Sequence, residues 1–268
     1  MIRALGPADY DGTVRLLSMS PALNLYMLGN LEKHGFGADF CEFWGDFEDV
    51  VGANVTPRAV LNRYMNGWSV YGLPDADWRG LAGVMDDHPE AGTRLQDNPG
   101  GIGSFLPFLR RYAVDQVTEE ELMALRTEDF RPASTLPNCE VRRATLADLD
   151  ALAALYAEAE HMTRTRAAVE RPLRHTRVWT ALTGGEMRAA ALTNAETSGL
   201  AMIGGVYTLP AWRGQGLSQV VCSALCAELL GEGVQPFLYW DTPAAGAVYR
   251  KLGFHRVGVW RSAWIRRA

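Results

Sequence analysis

At 268 residues the chain is long for one small domain and comfortable for two, and 48% apolar with 21% charged side chains fits a globular protein. No apolar run approaches the roughly 20 residues a membrane helix needs, and Met1-Ile2-Arg3 with Asp9 and Asp11 close behind lacks the apolar core of a signal peptide, so a cytoplasmic location and no membrane partner are expected. The net charge of −5 divides into −9 for residues 1–132 (11 basic, 20 acidic) and +4 for the remainder (15 basic, 11 acidic), with no basic run or interleaved aromatic patch to suggest nucleic-acid binding.

The chain opens on Ile2-Arg3-Ala4-Leu5-Gly6-Pro7-Ala8-Asp9-Tyr10-Asp11, a short strand turning into a helix. The arrangement returns at Val141-Arg142-Arg143-Ala144-Thr145-Leu146-Ala147-Asp148-Leu149-Asp150, where the arginine, an alanine and both aspartates coincide. In the second copy Thr145 is placed to cap the helix, Asp148 holds the capping-box position, and Leu149, Leu152, Ala153 and Tyr156 form the buried stripe. The echo predicts a tandem of two similar halves, against chance similarity in an alanine-rich chain. In the first half the strand-like Trp68–Tyr71 precedes Trp78-Arg79-Gly80-Leu81-Ala82-Gly83, read as a decayed glycine loop in which Ala82 replaces a glycine. Arg131-Pro132-Ala133-Ser134-Thr135-Leu136-Pro137-Asn138 reads as a linker, giving domains 1–132 and 138–268.

The second half continues with a helix over Thr145–Glu160 and a helical stretch near Arg164–Pro172. Strands follow at Arg177–Leu182, Met187–Thr193 and Leu200–Tyr207, the last stopped by Pro210. Arg213-Gly214-Gln215-Gly216-Leu217-Ser218 then opens a helix whose apolar positions include Leu217, Val220, Val221, Leu225 and Leu229, ended by Gly231 and Gly233. A strand, a glycine turn and a helix N-terminus make an anion site: the first N–H groups lack intrahelical partners, the dipole adds positive charge, and Arg213 adds a donor. An ordinary glycine turn is the competing reading of the loop by itself. After a strand at Gln235–Trp240 come Ala245-Gly246-Ala247-Val248-Tyr249-Arg250-Lys251-Leu252-Gly253-Phe254 and strands near His255–Trp260 and Ala263–Arg266. Cys41, Cys139, Cys222 and Cys226 are scattered, and the five histidines form no close pair, so no metal is expected.

This ordered series resembles the GNAT superfamily of acetyltransferases, whose loop pattern Arg/Gln-x-x-Gly-x-Gly/Ala appears here as Arg213-x-x-Gly216-x-Ser218. The resemblance implies an α/β (α+β) fold of two GNAT-like domains, each a mixed, mostly antiparallel sheet flanked by helices. The second would carry the acetyl-CoA signature. The first half, with Asn24-Leu25-Tyr26 and Gly52-Ala53-Asn54, also looks like a domain preceding the acetyltransferase domain in some bacterial proteins. By the resemblance, acetyl-CoA is the co-substrate, bound by Val206, Tyr207, Thr208, Arg213, Gly214, Gln215, Gly216, Leu217, Ser218, Thr242 and Tyr249. Gly204-Gly205 would mark the bulge that splays two strands to admit the pantetheine, with simple close packing as the alternative. Two departures stand out: Ser218 replaces a smaller residue, and Thr242 stands where relatives often carry Asn.

The implied activity is N-acetylation of a primary amine on a small or amino-acid-like molecule. Tyr249 would protonate the leaving thiolate, since a thiol has a pKa near 8.5 and a phenol near 10; a core tyrosine is the competing reading. A backbone N–H such as that of Val206 can stabilise the tetrahedral oxyanion. Glu196, Glu160, His161 and Asp241 are base candidates by rough placement, and none is assigned. The alternative is a non-catalytic acyl-CoA sensor; transfer using charged RNA is a distant third, opposed by the lack of a basic groove. Oligomeric state is left open, a homodimer included.

Overall fold

The computed structural model describes residues 1–48, 55–97, 99–159, 164–240 and 242–268. In chain order the elements of the first half are β1 (Ile2–Ala4), α1 (Tyr10–Leu17), α2 (Leu25–His34), β2 (Cys41–Asp46), β3 (Ala59–Tyr64), β4 (Gly67–Gly72), α3 (Trp78–Asp87), β5 (Arg94–Asp97), α4 (Pro99–Phe105) and β6 (Tyr112–Ala124). The second half adds β7 (Cys139–Arg143), α5 (Leu149–Ala157), α6 (Arg166–His175), β8 (Val178–Thr183), β9 (Glu186–Glu196), β10 (Leu200–Thr208), α7 (Leu217–Gly231), β11 (Gln235–Trp240), α8 (Pro243–Lys251) and β12 (His255–Arg267). The two series repeat one order, strand, two helices, three strands, helix, strand, helix, strand.

The chain forms two compact units, Met1–Glu121 with Gly258–Ala268, and Leu122–Val257. In the first, the order β1-β2-β3-β4-β5 is antiparallel except for the parallel pair β4–β5, and β12 pairs antiparallel with β5. In the second, β7-β8-β9-β10 is antiparallel and β10–β11 is parallel. Beyond β11 the neighbour is β6, so each unit takes its strand after the parallel pair from the other half of the sequence.

In each unit the strands are buried on two faces, and the two-residue period of a strand divides the core. In the second unit Ala189 and Ala191 face α7 and α8 with Val221, Leu225, Leu229 and Tyr249, while Ala190 and Leu192 face α5 and α6 with Leu152, Tyr156 and Val169. The first unit repeats this with Leu61 toward α3 and α4 and Val60 toward α1 and α2. Fully burying each Leu or Val contributes about 1.5–3 kcal/mol, so the apolar stripe of α7 holds that helix to the sheet.

The sequence echo is a structural repeat. Arg3 Nη2 lies 2.6 Å from Asp9 Oδ1, and Arg142 Nη2 lies 2.6 Å from Asp148 Oδ1. Asp9 also accepts from the Gly6 N–H at 2.9 Å, and Asp148 from the Thr145 N–H at 2.8 Å. The Arg142 guanidinium, followed by the Thr145 N–H, pulls the Asp148 carboxyl down to about 2. A carboxyl depressed in the folded state stabilises fully above its unfolded value, about 3.9, and loses that contribution as pH falls toward the folded value. Asp148→Asn is therefore expected to lower stability in urea titrations at neutral pH. The gap to the parent should close between about pH 4 and pH 2; a gap as wide at pH 2 as at pH 7 would contradict this.

Three features differ from the sequence reading. Residues 131–138 do not bridge two domains at 1–132 and 138–268: the division falls at Glu121–Leu122, and 258–268 join the first unit. The physical reason is that the segment lies on the second unit, the Arg131 N–H donating to Leu252 O at 3.0 Å and the Ala133 N–H to Ser223 Oγ at 2.9 Å, with Ala133 and Leu136 against its core. The two strands expected after Phe254 are one, β12. Trp78–Gly83 is not a loop but the first turns of α3, because Asp77 caps it by accepting from the Gly80 N–H. Gly52, Ala53 and Asn54 lie outside the described residues.

Candidate functional site

The parallel pair β10–β11 holds together only at its start, where Leu200, Ala201 and Met202 pair with Gln235, Pro236 and Phe237. Past Met202 no further pairing joins the two strands among the described residues, so the backbone of Val206, Tyr207 and Thr208 has no partner strand there on the β11 side, while Tyr207 and Thr208 stay paired with Ala190 and Ala189 of β9. A register shift between Gly204 and Tyr207 sets the bulge. Gly205 adopts φ +57°, and a Cβ there would meet Leu192 Cγ and Tyr156 Oη at 3.0 Å and Arg164 Nη2 at 3.1 Å. Glycine is thus required by conformation and by space. The Tyr156 hydroxyl, its pKa raised by complete burial, donates to Gly205 O at 2.5 Å and holds the bulge from the α5 side. Tyr207 lies beside it, its hydroxyl donating to Glu158 O at 2.8 Å.

Beyond the splay, residues 210–212 form a 3-10 turn, and Gly214 (φ +76°) and Gly216 (φ +85°) bring the chain into α7. The first bond of the helix is Val220 N–H to Gly216 O at 3.1 Å, so the N–H groups of Leu217, Ser218 and Gln219 precede the intrahelical ladder. Gly214 and Gln215 are exposed, and no side chain approaches the Cβ direction of Gly214 within 4 Å. The Leu217 side chain is core, so only its backbone can serve a ligand. Arg213 folds back, its Nε donating to Thr208 O at 3.2 Å and its guanidinium lying 5.8 Å from the Tyr207 ring centre.

Tyr249 reaches the same face from α8. It is buried beside Phe254, ring centres 6.0 Å apart, in the cluster that contains Leu217, Val221 and Ile203. The Gly253 that follows is forced by close approach: a Cβ there would lie 1.9 Å from Asp129 O. Thr242 is exposed at the N-cap of α8 and makes no side-chain cap bond, so its hydroxyl is not committed to the helix.

A coenzyme A moiety fits these residues. The left-handed glycines clear the helix N-terminus, the splayed backbone offers amide groups, and Thr208 Oγ1 is buried without a hydrogen-bond partner among the described residues. Of the base candidates, Glu196 pairs across from Ala201 at the far end of β10 and accepts from Thr193 Oγ1 at 2.5 Å, which removes it from the bulge. Glu160, His161 and Asp241 lie outside the described residues. Sequence reasoning placed Tyr156 only in a buried stripe and assigned Arg164 no role; nothing local in the sequence marks either as a neighbour of Gly205.

Residues 183–265 match the FR47-like protein family. A Drosophila protein is similar over 100% of this chain and 98% of its own, with a TM-score of 0.75 at 17% identity. A GCN5-related N-acetyltransferase from Sphaerobacter thermophilus matches over 100% and 95%, TM-score 0.66, 19% identity. A tandem GNAT protein from the clavulanic acid biosynthesis pathway matches over 100% and 98%, TM-score 0.60, 14% identity. No curated protein matches the chain.

Proposed function

We propose that this member of the GNAT superfamily is an acetyl-CoA-dependent N-acetyltransferase acting on a primary amine of a small molecule. The observation that carries the reading is the coincidence, within one unit, of the splayed β10–β11 pair, the Gly205 bulge and the glycine-opened N-terminus of α7. When bound, acetyl-CoA supplies the activated acyl group. In the net change one C–S bond gives way to one C–N bond, and one proton passes from the amine to the thiol.

The chain's own residues have distinct tasks. The N–H groups at the start of α7, with Arg213, hold the pyrophosphate. The open edge of Val206–Thr208 orients the pantetheine, with Thr208 Oγ1, unpartnered among the described residues, as a donor to it. The Val206 N–H stabilises negative charge on the acyl oxygen, and Tyr249 Oη delivers the proton to sulfur. The acyl-CoA sensor reading draws on one observation, that Glu196, the base candidate among the described residues, is committed elsewhere.

In the first unit the parallel pair β4–β5 joins Gly67–Ser69 to Arg94–Gln96 among the described residues, but the helix N-terminus there is already answered. Asp77 accepts from the Gly80 N–H at 2.9 Å, and buried Asp46 accepts from the Asp77 N–H at 2.9 Å. Carboxylates standing there repel a pyrophosphate. Calorimetry with acetyl-CoA is therefore expected to give one site per chain, and a thiol-release assay over a panel of primary amines to give sustained turnover. Two sites would overturn the assignment to the second unit, and binding without turnover on any amine would leave the sensor.

A further inference from the structure

We propose that the acceptor amine carries a carboxylate, recognised by Arg164 at the Gly205 bulge; this rests on the acyltransferase reading for the site's purpose, though not for its geometry. Arg142, Arg177 and Arg188 of the second unit are half-buried like Arg164, and each has a carboxylate partner: Asp148, Glu232 with Glu228, and Glu186. Arg164 has no ion pair among the described residues. Its Nη2 donates to Asn194 Oδ1 at 3.2 Å, its guanidinium lies 5.5 Å from the Tyr156 ring centre, and its Nε is buried with no hydrogen-bond partner among the described residues. A partly desolvated cation without a counter-ion is costly, and a planar guanidinium is matched best by a carboxylate.

Arg164 Nη2 stands 3.1 Å from where a Cβ of Gly205 would be, at the point where β10 loses its partner strand. It arrives with Tyr156 from the α5–α6 side of the sheet, whereas Tyr249 and the N-terminus of α7 belong to the opposite side. Coenzyme and acceptor can thus approach the bulge from opposite faces. A carboxylate on Arg164 would place an attached amine beside the Val206 backbone. Asn194, whose amide lies 2.0 Å from the Cβ direction of Gly204, fixes the guanidinium.

The test compares amino acids with the amines lacking the carboxylate, glycine with methylamine and alanine with ethylamine among them, on the full chain and on Arg164→Gln and Arg164→Lys. The parent is expected to favour the carboxylate-bearing member of each pair. Arg164→Gln should raise its KM at least tenfold while leaving the KM of the matching amine unchanged, and Arg164→Lys should recover part of the loss. Equal KM changes for both members, the outcome of a merely structural arginine, would overturn the proposal. A second measurement is independent of turnover: calorimetry, with coenzyme A present, of N-acetyl amino acids against the matching N-alkylacetamides. Tighter binding of the former, weakened tenfold by Arg164→Gln, supports the proposal even if no amine is acetylated, in which case the acyltransferase reading alone fails. No preference for the carboxylate in that titration overturns it.

Discussion

Gly216→Glu should abolish acetyl-CoA binding, with a loss of at least a hundredfold by calorimetry, while the chain stays folded. The nearest side chain to a Cβ at Gly216 is Leu136, at 3.6 Å, so the substitution meets no wall. Its cost is the left-handed backbone, φ +85°, about 1–2 kcal/mol for a residue with a Cβ. Against that, a carboxylate at a helix N-terminus contributes about 0.3–1 kcal/mol. The variant would reproduce in the second unit what Asp77 does at α3 in the first, where an acidic side chain answers the helix N-terminus. Gly216→Ala separates the effects, carrying the strain without the charge, and should bind coenzyme within about tenfold of the parent. If Gly216→Glu binds within twofold, the start of α7 is not the phosphate site.

The loop and helix start proposed for the coenzyme could be picked out in the sequence because the chemistry asked of them is local. A phosphate loop needs a strand end, glycines and a helix start in immediate succession, and Leu200 to Leu229 supply them in order. The bulge was legible for the same reason, as Gly204-Gly205 on a β-prone run. The cluster proposed for the acceptor could not be picked out, because it is assembled across distance. Tyr156 of α5, Arg164 just before α6 and Leu192 of β9 meet at Gly205, with Asn194 beside Gly204, and no spacing rule links residues 156 and 205. The repeat was visible through Arg3–Asp9 and Arg142–Asp148, an ion pair closed within six residues.

The domain boundary failed on composition. Arg131–Asn138 has the proline and polar content of a linker, yet its N–H groups at Arg131 and Ala133 are satisfied by Leu252 O and Ser223 Oγ, and Leu136 packs. The same contact explains Gly253, read as part of a tyrosine-helix motif but fixed by Asp129 O crossing over it. Trp78–Gly83, read as a decayed glycine loop because it follows the strand-like Trp68–Tyr71, is helical because the deciding residue, Asp77, precedes it and caps α3.

Tyr249→Phe should lower kcat by on the order of 10²–10⁴, the usual worth of general acid–base catalysis, with coenzyme affinity changed little. Tyr249 is buried among Leu252, Phe254 and the α7 side chains, and phenylalanine keeps the ring and its edge-on contact with Phe254. The cavity term that follows truncation in a core is therefore absent, and the melting temperature should stay near that of the parent. A fall in kcat with preserved coenzyme binding assigns the loss to the hydroxyl. The decisive control is the leaving group. A thioester whose thiol is more acidic needs less protonation, so the variant's deficit should shrink with such a donor. If kcat is unchanged while single-turnover kinetics show chemistry to be rate-limiting, or if the deficit is the same for both donors, the hydroxyl delivers no proton to sulfur and Tyr249 is a core residue.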